Sequence, residues 1–518
     1  MIICVSGMFE ILITMDYYMG VDIGTSGCKA VLFAENGQQV SYGYREYQII
    51  SSNEGWAELD SDVVMDKCFE VIREAASSVD SNNIRGMGIS SQGEAFTLVD
   101  AEGKALCNAL VSSDIRAREF VRTWPEKFGE DKLYRITGHT PHPMFSLFKL
   151  LWIKENMPEK WAKTHRILCF EDLLQYRLGI TDPAMGWPLA GRTMLFDVVE
   201  HSWNKEILDN LGIKEFQLSK PLPSGTLVGY IDKKIARILN LNGRTFIVTG
   251  GHDQACSALG AGAIESGVAA YSSGTVDCIT PAFIKPIFSA ELMKSNLCTY
   301  DHAAPGMYTT VAFSLTGGNI LRWFRDEFGK AEVEEVMPLK GSAYELLLRQ
   351  MPEAPTKLLV LPYFTPTGTP YFDTKVKGAI LGLDIFTSRA EIMKALLEGV
   401  ALEMRLNLDI LERVGYKINE LRVIGGGAKS MVWNQLKADI IRKPITVPGV
   451  TEAGCMGVAM LAKAAETDKD VLHIANKWIK TVSVITPGNL KTYDKKFRTY
   501  KDLYKIISGI ETDTQVQN

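Results

Sequence analysis

At 518 residues the chain is long enough for more than one domain. Its 46% hydrophobic and 23% charged residues form an ordinary globular mixture, which excludes a chain disordered along its whole length. A formal net charge of −5, with no long block of like charges, gives no electrostatic case for nucleic acid or an anionic membrane as partner. No apolar run is long enough to suggest a membrane span.

In chain order, the segment before Met15 is mildly apolar but lacks a basic stretch and a small-residue cleavage site. It is not read as a signal peptide, and Met15 or Met19 is an alternative start. A buried strand is expected over 18–23, then strands over 28–34 and 38–44 joined by the turn Glu35-Asn36-Gly37. Asp60 or Ser61 caps a helix carrying Val64, Met65, Cys68, Phe69, Ile72 and Ala76 at helical spacing. Strands over 84–90 and 95–99 follow. The stretch 115–245 is more helical and irregular and reads as an insertion closing over a pocket. A strand over 245–249 runs into Gly250-Gly251-His252-Asp253-Gln254. The same grammar then restarts, with strands over 268–272 and 276–280 around Ser273-Gly274-Thr275. Later strands are expected over 308–313, 358–361, 421–424 and 445–447, with helices over 389–413 and 431–442. The turns Gly24-Thr25 and Gly274-Thr275 sit about half the chain apart in matching contexts. This predicts an α/β protein of two similar domains, 17–260 and 261–508. The terminal segment 512–518 is polar and expected to fray.

The nine cysteines include no C-x-x-C pair, which fits reduced thiols in a cytoplasmic enzyme. The seven histidines show no zinc-site spacing, so a catalytic transition metal is not expected.

Five features can carry chemistry. Asp22-Ile23-Gly24-Thr25-Ser26-Gly27 ends an apolar strand; its backbone N–H groups and hydroxyls can cradle phosphate, and its glycines permit positive φ. Asp22 would repel that phosphate unless Mg²⁺ lies between them. Ser273-Gly274-Thr275 offers the same donors without the carboxylate. Val423-Ile424-Gly425-Gly426-Gly427-Ala428-Lys429-Ser430 joins a strand to a helix, where backbone can approach a nucleotide; it is neither G-x-G-x-x-G nor a Walker A loop. Asp253, just past a strand and two glycines, is the candidate base for phosphoryl transfer to an alcohol, with a helix N-cap as the plainer reading. His252 reads as a packed or surface histidine. Ser90-Ser91-Gln92-Gly93-Glu94 suits sugar or polyol hydroxyls, with Asp114 and Arg116 as further members. Each of these can also be an ordinary glycine or polar turn.

Taken together, these segments resemble the FGGY carbohydrate kinase family over about 18–505. Also matching are Phe148-Lys149-Leu150-Leu151-Trp152, Thr316-Gly317-Gly318 and the 378–383 segment. The resemblance implies two actin-like (ribonuclease H-like) domains with ATP and a sugar, sugar acid or polyol between them. It implies Asp253 as general base and Asp22 as the Mg²⁺-side carboxylate. Gly24, Thr25, Ser26, Gly274 and Thr275 would hold phosphates. Gly318, Gly425, Gly426 and Ser430 would lie along the nucleotide. Gln92, Glu94, Asp253 and Gln254 would face the acceptor. Xylulokinase-like members often carry Gly-Glu-Arg-Thr-Pro where this chain has Pro366-Thr367-Gly368-Thr369-Pro370. Gly93 stands where glycerol kinases have arginine, which disfavours glycerol. Thr137-Gly138-His139-Thr140-Pro141-His142-Pro143-Met144 is similar to gluconate-kinase-like members. The expected order of acceptors is a ketopentose such as xylulose, then a sugar acid such as gluconate, then a polyol. An actin-fold ATP-binding module without sugar turnover is the reading from another class. A homodimer stays open.

Overall fold

Tyr18, Met19, Val21 and Ile23 are all buried, as a central strand covered on both faces requires. In this computed structural model, which describes residues 15–510 except 340, 489 and 490, they lie on β1 (Tyr17–Ile23). The expectations for the segment before Met15 and for 512–518 fall outside the described residues. β1 pairs antiparallel with β2 (Gly27–Ala34), which pairs with the edge strand β3 (Gln39–Glu46). On its other side β1 runs parallel to β4 (Ile84–Ser91). The antiparallel edge strand β5 (Leu227–Tyr230) pairs with β6 (Phe246–His252), which runs parallel to β4. Between β3 and β4, α1 (Ser61–Ala76) starts where Asp60 accepts from the backbone N–H groups of Asp62 and Val63.

After α2 (Asp253–Gly260), the second sheet repeats the plan. β7 (Val268–Ser273) and β8 (Asp277–Phe283) form a hairpin. Helices α3 (Gly318–Phe328) and α4 (Arg389–Arg413) follow, the latter started by a Ser388/Glu391 capping box. β9 (Glu420–Ile424) runs parallel to β7, and after α5 (Met431–Ile441), β10 (Ile445–Pro448) runs parallel to β9. β11 (Thr481–Ile485) closes the edge antiparallel. The order β2-β1-β4-β6-β5 in one sheet thus matches β8-β7-β9-β10-β11 in the other, pairing for pairing.

Before β10 leads to β11, the chain makes α6 (Ala453–Thr467), which packs on the first sheet. Close approach explains the glycines there. A Cβ on Gly20 would lie 1.9 Å from the Cys455 carbonyl oxygen, and one on Gly457 2.2 Å from that of Cys256. The expected strand over 308–313 is broken into Tyr308–Thr309 and Ala312–Ser314. The expected strand over 245–249 continues through both glycines to His252, which caps the helix that Asp253 opens. Among the described residues every cysteine is free, and no helix is long and apolar enough to cross a membrane.

Candidate active site

The first turn hangs between β1 and β2. Gly24 N–H donates to the Gly27 carbonyl at 2.9 Å, and Tyr47 Oη donates to the Gly24 carbonyl at 2.6 Å. Neither Gly24 nor Gly274 uses the positive φ that glycine permits. Asp22 Oδ1 accepts from Ser90 Oγ at 2.7 Å. Its Oδ2 lies 3.5 Å from Lys29 Nζ, which pairs with Glu452 at 2.7 Å. Lys29 was not singled out from sequence; it stands directly opposite Asp22 in the β1–β2 ladder. Burial works against its charge, but Asp22 and Glu452 outweigh that and hold it protonated.

Gln92 does not stand free toward an acceptor. Its Nε2 donates to the Gly24 carbonyl at 3.0 Å, and its Oε1 accepts from Thr25 Oγ1 at 3.2 Å, so it braces the first turn. Ser26 is exposed at the tip. Glu94 is buried with a φ of 64° and accepts from Arg192 Nε at 2.5 Å. Arg192 Nη1 lies 3.2 Å from His139 Nε2, while His139 Nδ1 is 2.6 Å from the Thr137 carbonyl. His139 Nδ1 therefore carries the hydrogen and Nε2 accepts from the guanidinium. Asp114 and Arg116 are corrected as acceptor groups. Asp114 is fully buried and holds Ala57 N–H at 2.8 Å, and Arg116 is locked between Asp114 and Glu58.

Asp253 sits at the start of α2, next to half-buried Gln254. Behind it, Glu171 accepts from the backbone N–H groups of Gly250 at 2.7 Å and Gly186 at 3.2 Å, fixing the glycine pair. Burial, then the nearby Asp22 and Glu94 carboxylates, push the Asp253 carboxyl up to about 7. His252 is buried, 3.2 Å from Asp253 Oδ1 through Nε2 and 2.9 Å from Tyr300 Oη through Nδ1.

The second turn joins β7 to β8, with Thr275 exposed at its tip. The start of α3 braces it: Gly318 N–H donates to the Gly274 carbonyl at 2.8 Å and Asn319 N–H to that of Thr275 at 3.2 Å. Fully buried Lys437 of α5 binds Ser273 Oγ beneath the turn and lies 3.7 Å from Asp277. The third loop lies against it. Gly425 takes a φ of 85°, and its Cβ position is 2.7 Å from the Ser273 carbonyl oxygen. Gly426 faces open space. Ser430 is the N-cap of α5, its hydroxyl accepting from Trp433 N–H at 3.3 Å. Two clusters result. One holds Asp22, Gly24, Thr25, Glu94 and Asp253; the other holds Gly274, Thr275, Gly318, Gly425, Gly426 and Ser430.

The sequence pattern described as the FGGY family of carbohydrate kinases, N-terminal domain, matches residues 17–260, and that of its C-terminal domain matches 269–466. The chain belongs to the FGGY family of carbohydrate kinases. It is therefore a phosphotransferase that uses ATP and acts on a sugar hydroxyl. A xylulose kinase of Bacillus subtilis (strain 168) is 27% identical over 507 residues, 96% of this chain and 98% of the relative. A gluconokinase of the same organism is 26% identical over 499 residues, 95% and 96% of the two chains. Among solved structures, gluconate kinase from Lactobacillus acidophilus superposes with a TM-score of 0.87 at 24% identity, covering 96% of this chain and 99% of that one. Xylulose kinase from the same organism gives 0.86 at 24% identity, with the same coverage. The two repeated sheets are accordingly the two actin-like ATPase domains of FGGY kinases. Xylulose and gluconate kinases match equally well, so the comparisons leave the acceptor undivided.

Proposed function

We propose that this FGGY kinase phosphorylates a neutral ketopentose such as xylulose. The observation that carries this is the Arg192–Glu94 pair. The guanidinium beside the acceptor groups is already neutralised by Glu94 and engaged by His139. Asp22 and Glu94 are likewise paired, with Lys29 and Arg192, and Asp253 is the remaining carboxylate beside the acceptor. Lys149, buried nearby with its Nζ 3.3 Å from the Leu110 carbonyl, is pulled down to about 8 by burial and is a weak cation there. A carboxylate-bearing acceptor finds no unpaired cation among these groups. Gluconate remains the second reading because of the 137–144 segment, whose His139 meets Arg192.

In this reading Asp253 takes the proton of the acceptor hydroxyl, whose oxygen forms a bond to the γ-phosphorus as the bond to the ADP oxygen breaks. Glu94 and Gln254 hold the acceptor's other hydroxyls, and Gln92 fixes the turn beneath. Gly24, Thr25, Ser26, Gly274 and Thr275 offer N–H and hydroxyl donors to the phosphates. Gly318, Gly425, Gly426 and Ser430 flank the nucleotide. Among the described residues no three His, Cys, Asp or Glu side chains gather as a metal cage. A lone carboxylate beside phosphate-binding turns nevertheless fits Mg²⁺, which takes one or two carboxylates together with phosphates and water. Asp22 would hold it, and Mg²⁺ would supply neutralisation of phosphate charge.

The test is kcat/KM across ketopentoses, aldonates and polyols. At least about tenfold preference for a ketopentose over gluconate is expected, a difference of ~1.4 kcal/mol. A preference for gluconate would overturn the reading. A second prediction concerns the nucleotide side. Gly426→Val and Gly274→Val add bulk where a Cβ meets nothing closer than 3.7 Å, so the fold should survive. ATP affinity should fall by about tenfold or more. Wild-type affinity by calorimetry in both variants would remove these glycines from the nucleotide site.

A further inference from the structure

We propose that Lys437 is a positioning residue for the second phosphate turn. It holds Ser273 from beneath and cancels the charge of Asp277, so that Gly274 and Thr275 meet the nucleotide phosphates from a fixed and neutral base. This rests on that turn being a phosphate site. Lysine and aspartate are seldom fully buried, yet Lys437, Ser273 and Asp277 are all 0% exposed. Ser273 ends β7 and stands opposite Asp277, the first residue of β8, so the two flank the root of the turn. With its hydroxyl shut away from solvent, Ser273 serves the turn and not a ligand: its Oγ accepts from Lys437 Nζ.

Asp277 is the reason a cation is needed there. Its Oδ2 accepts from Tyr271 Oη at 2.8 Å, while its Oδ1 is buried without a hydrogen-bond partner. Gly317, just before α3, packs against it; a Cβ there would lie 2.8 Å from Oδ1. A carboxylate left uncompensated beneath a phosphate-binding turn would repel the ligand that the turn holds. Lys437 Nζ, 3.7 Å from Oδ2, supplies the opposite charge. Burial pushes the Asp277 carboxyl up and pulls the Lys437 ammonium down, and each partner opposes the other's shift. The ring centroids of Trp433 and Tyr271 lie 4.1 Å and 4.5 Å from Nζ and flank the cation. The same contact ties the phosphate turn to the third loop. Lys437 lies on α5, which that loop leads into, and a Cβ on Gly427 of the loop would fall 2.1 Å from Ser273 Oγ. The elements assigned to the phosphates and to the nucleoside therefore meet at Ser273.

The test measures ATP and adenosine affinity by calorimetry in the full chain for Lys437→Met, Ser273→Ala, Gly274→Val and the double variant Lys437→Met/Asp277→Asn. Adenosine carries the nucleoside without phosphate, so it separates a phosphate effect from a general loss of packing. Lys437→Met strands the Asp277 charge and should weaken ATP by about tenfold or more, with adenosine at its wild-type affinity. Ser273→Ala, which removes one hydrogen bond, should weaken ATP about threefold. The double variant lacks the hold on Ser273 but strands no charge, so it should recover to about the Ser273→Ala value. Wild-type ATP affinity in Lys437→Met and Ser273→Ala, beside a Gly274→Val that has lost it, would overturn the proposal. So would equal losses for ATP and adenosine, or a double variant no better than Lys437→Met. Wild-type ATP affinity in Gly274→Val would instead overturn the phosphate role of the turn. Should Lys437→Met fail to fold, Ser273→Ala and the double variant decide the question: weaker ATP with unchanged adenosine in both supports the proposal, and any other result overturns it.

Discussion

Asp253→Asn is expected to lower kcat by roughly 10²–10⁴-fold, the contribution of a general base, and to leave ATP affinity near wild type. The side chain keeps its size and loses only the group that takes the proton. The pH dependence follows from the same carboxyl. Its value of about 7 is far above the usual 3.8, so the base form grows as pH rises through 7. Wild-type kcat/KM should therefore climb about tenfold per pH unit below 7 and level off above it. In Asp253→Asn that limb should vanish from the residual activity. Stability should move the other way. A carboxyl raised on folding binds its proton more tightly in the folded state, so its ionisation above pH 7 costs stability that is absent below pH 4. The asparagine variant, without ATP, should gain in Tm relative to wild type as pH rises from 4 to 8. A large activity loss together with a lower Tm at pH 8 would point to misfolding instead.

Basal ATP hydrolysis is expected to run at least about 10³-fold below sugar phosphorylation. Water is a smaller nucleophile of the same kind and far more abundant, and pocket affinity alone cannot reject it. Rate advantages of that size come from holding the correct acceptor in line, completed when the acceptor draws the halves together. The two clusters of the site belong to different sheets, and Tyr300 already reaches from the second sheet to His252 of the first. Saturating acceptor with an unreactive ATP analogue should make the molecule more compact by small-angle scattering, or protect the turns at 24–26 and 425–430 from hydrogen exchange. No change in either observable would remove closure as the means of excluding water.

The fold was legible where local pattern decides it. Buried alternation and turn chemistry located β1, β2 and the hairpin around Gly274. Apolar residues at helical spacing gave α4 its expected limits of 389 and 413, and in the structure a Ser388/Glu391 capping box starts it there. The glycine pair at 250–251 misled the reading. Glycine usually interrupts a strand, but here a Cβ on Gly250 would lie 1.9 Å from the Ile89 carbonyl oxygen of β4 and one on Gly251 3.0 Å from the Pro188 ring, so the close approach needs glycine and the strand runs on. The turns and Asp253 that the proposed site uses are local in sequence and could be singled out there. The site was not legible where the partner is remote in sequence. Arg192 meets Glu94 across 98 residues, and Tyr300 meets His252 across 48. Gln92, Asp114 and Arg116 were polar residues in a suggestive place, but Gln92 and Asp114 hold backbone groups and Arg116 pairs with Asp114 and Glu58. Composition cannot distinguish a polar group spent on structure from one left for a ligand.

ADP and phosphorylated sugar measured together, with ATP and each member of an acceptor panel, show whether the chain phosphorylates a ketopentose. A ketopentose should accelerate ADP formation, with one sugar phosphate appearing per ADP, and both products should be lost in Asp253→Asn. ADP release at one unchanging rate with every acceptor, and no sugar phosphate formed, would contradict it.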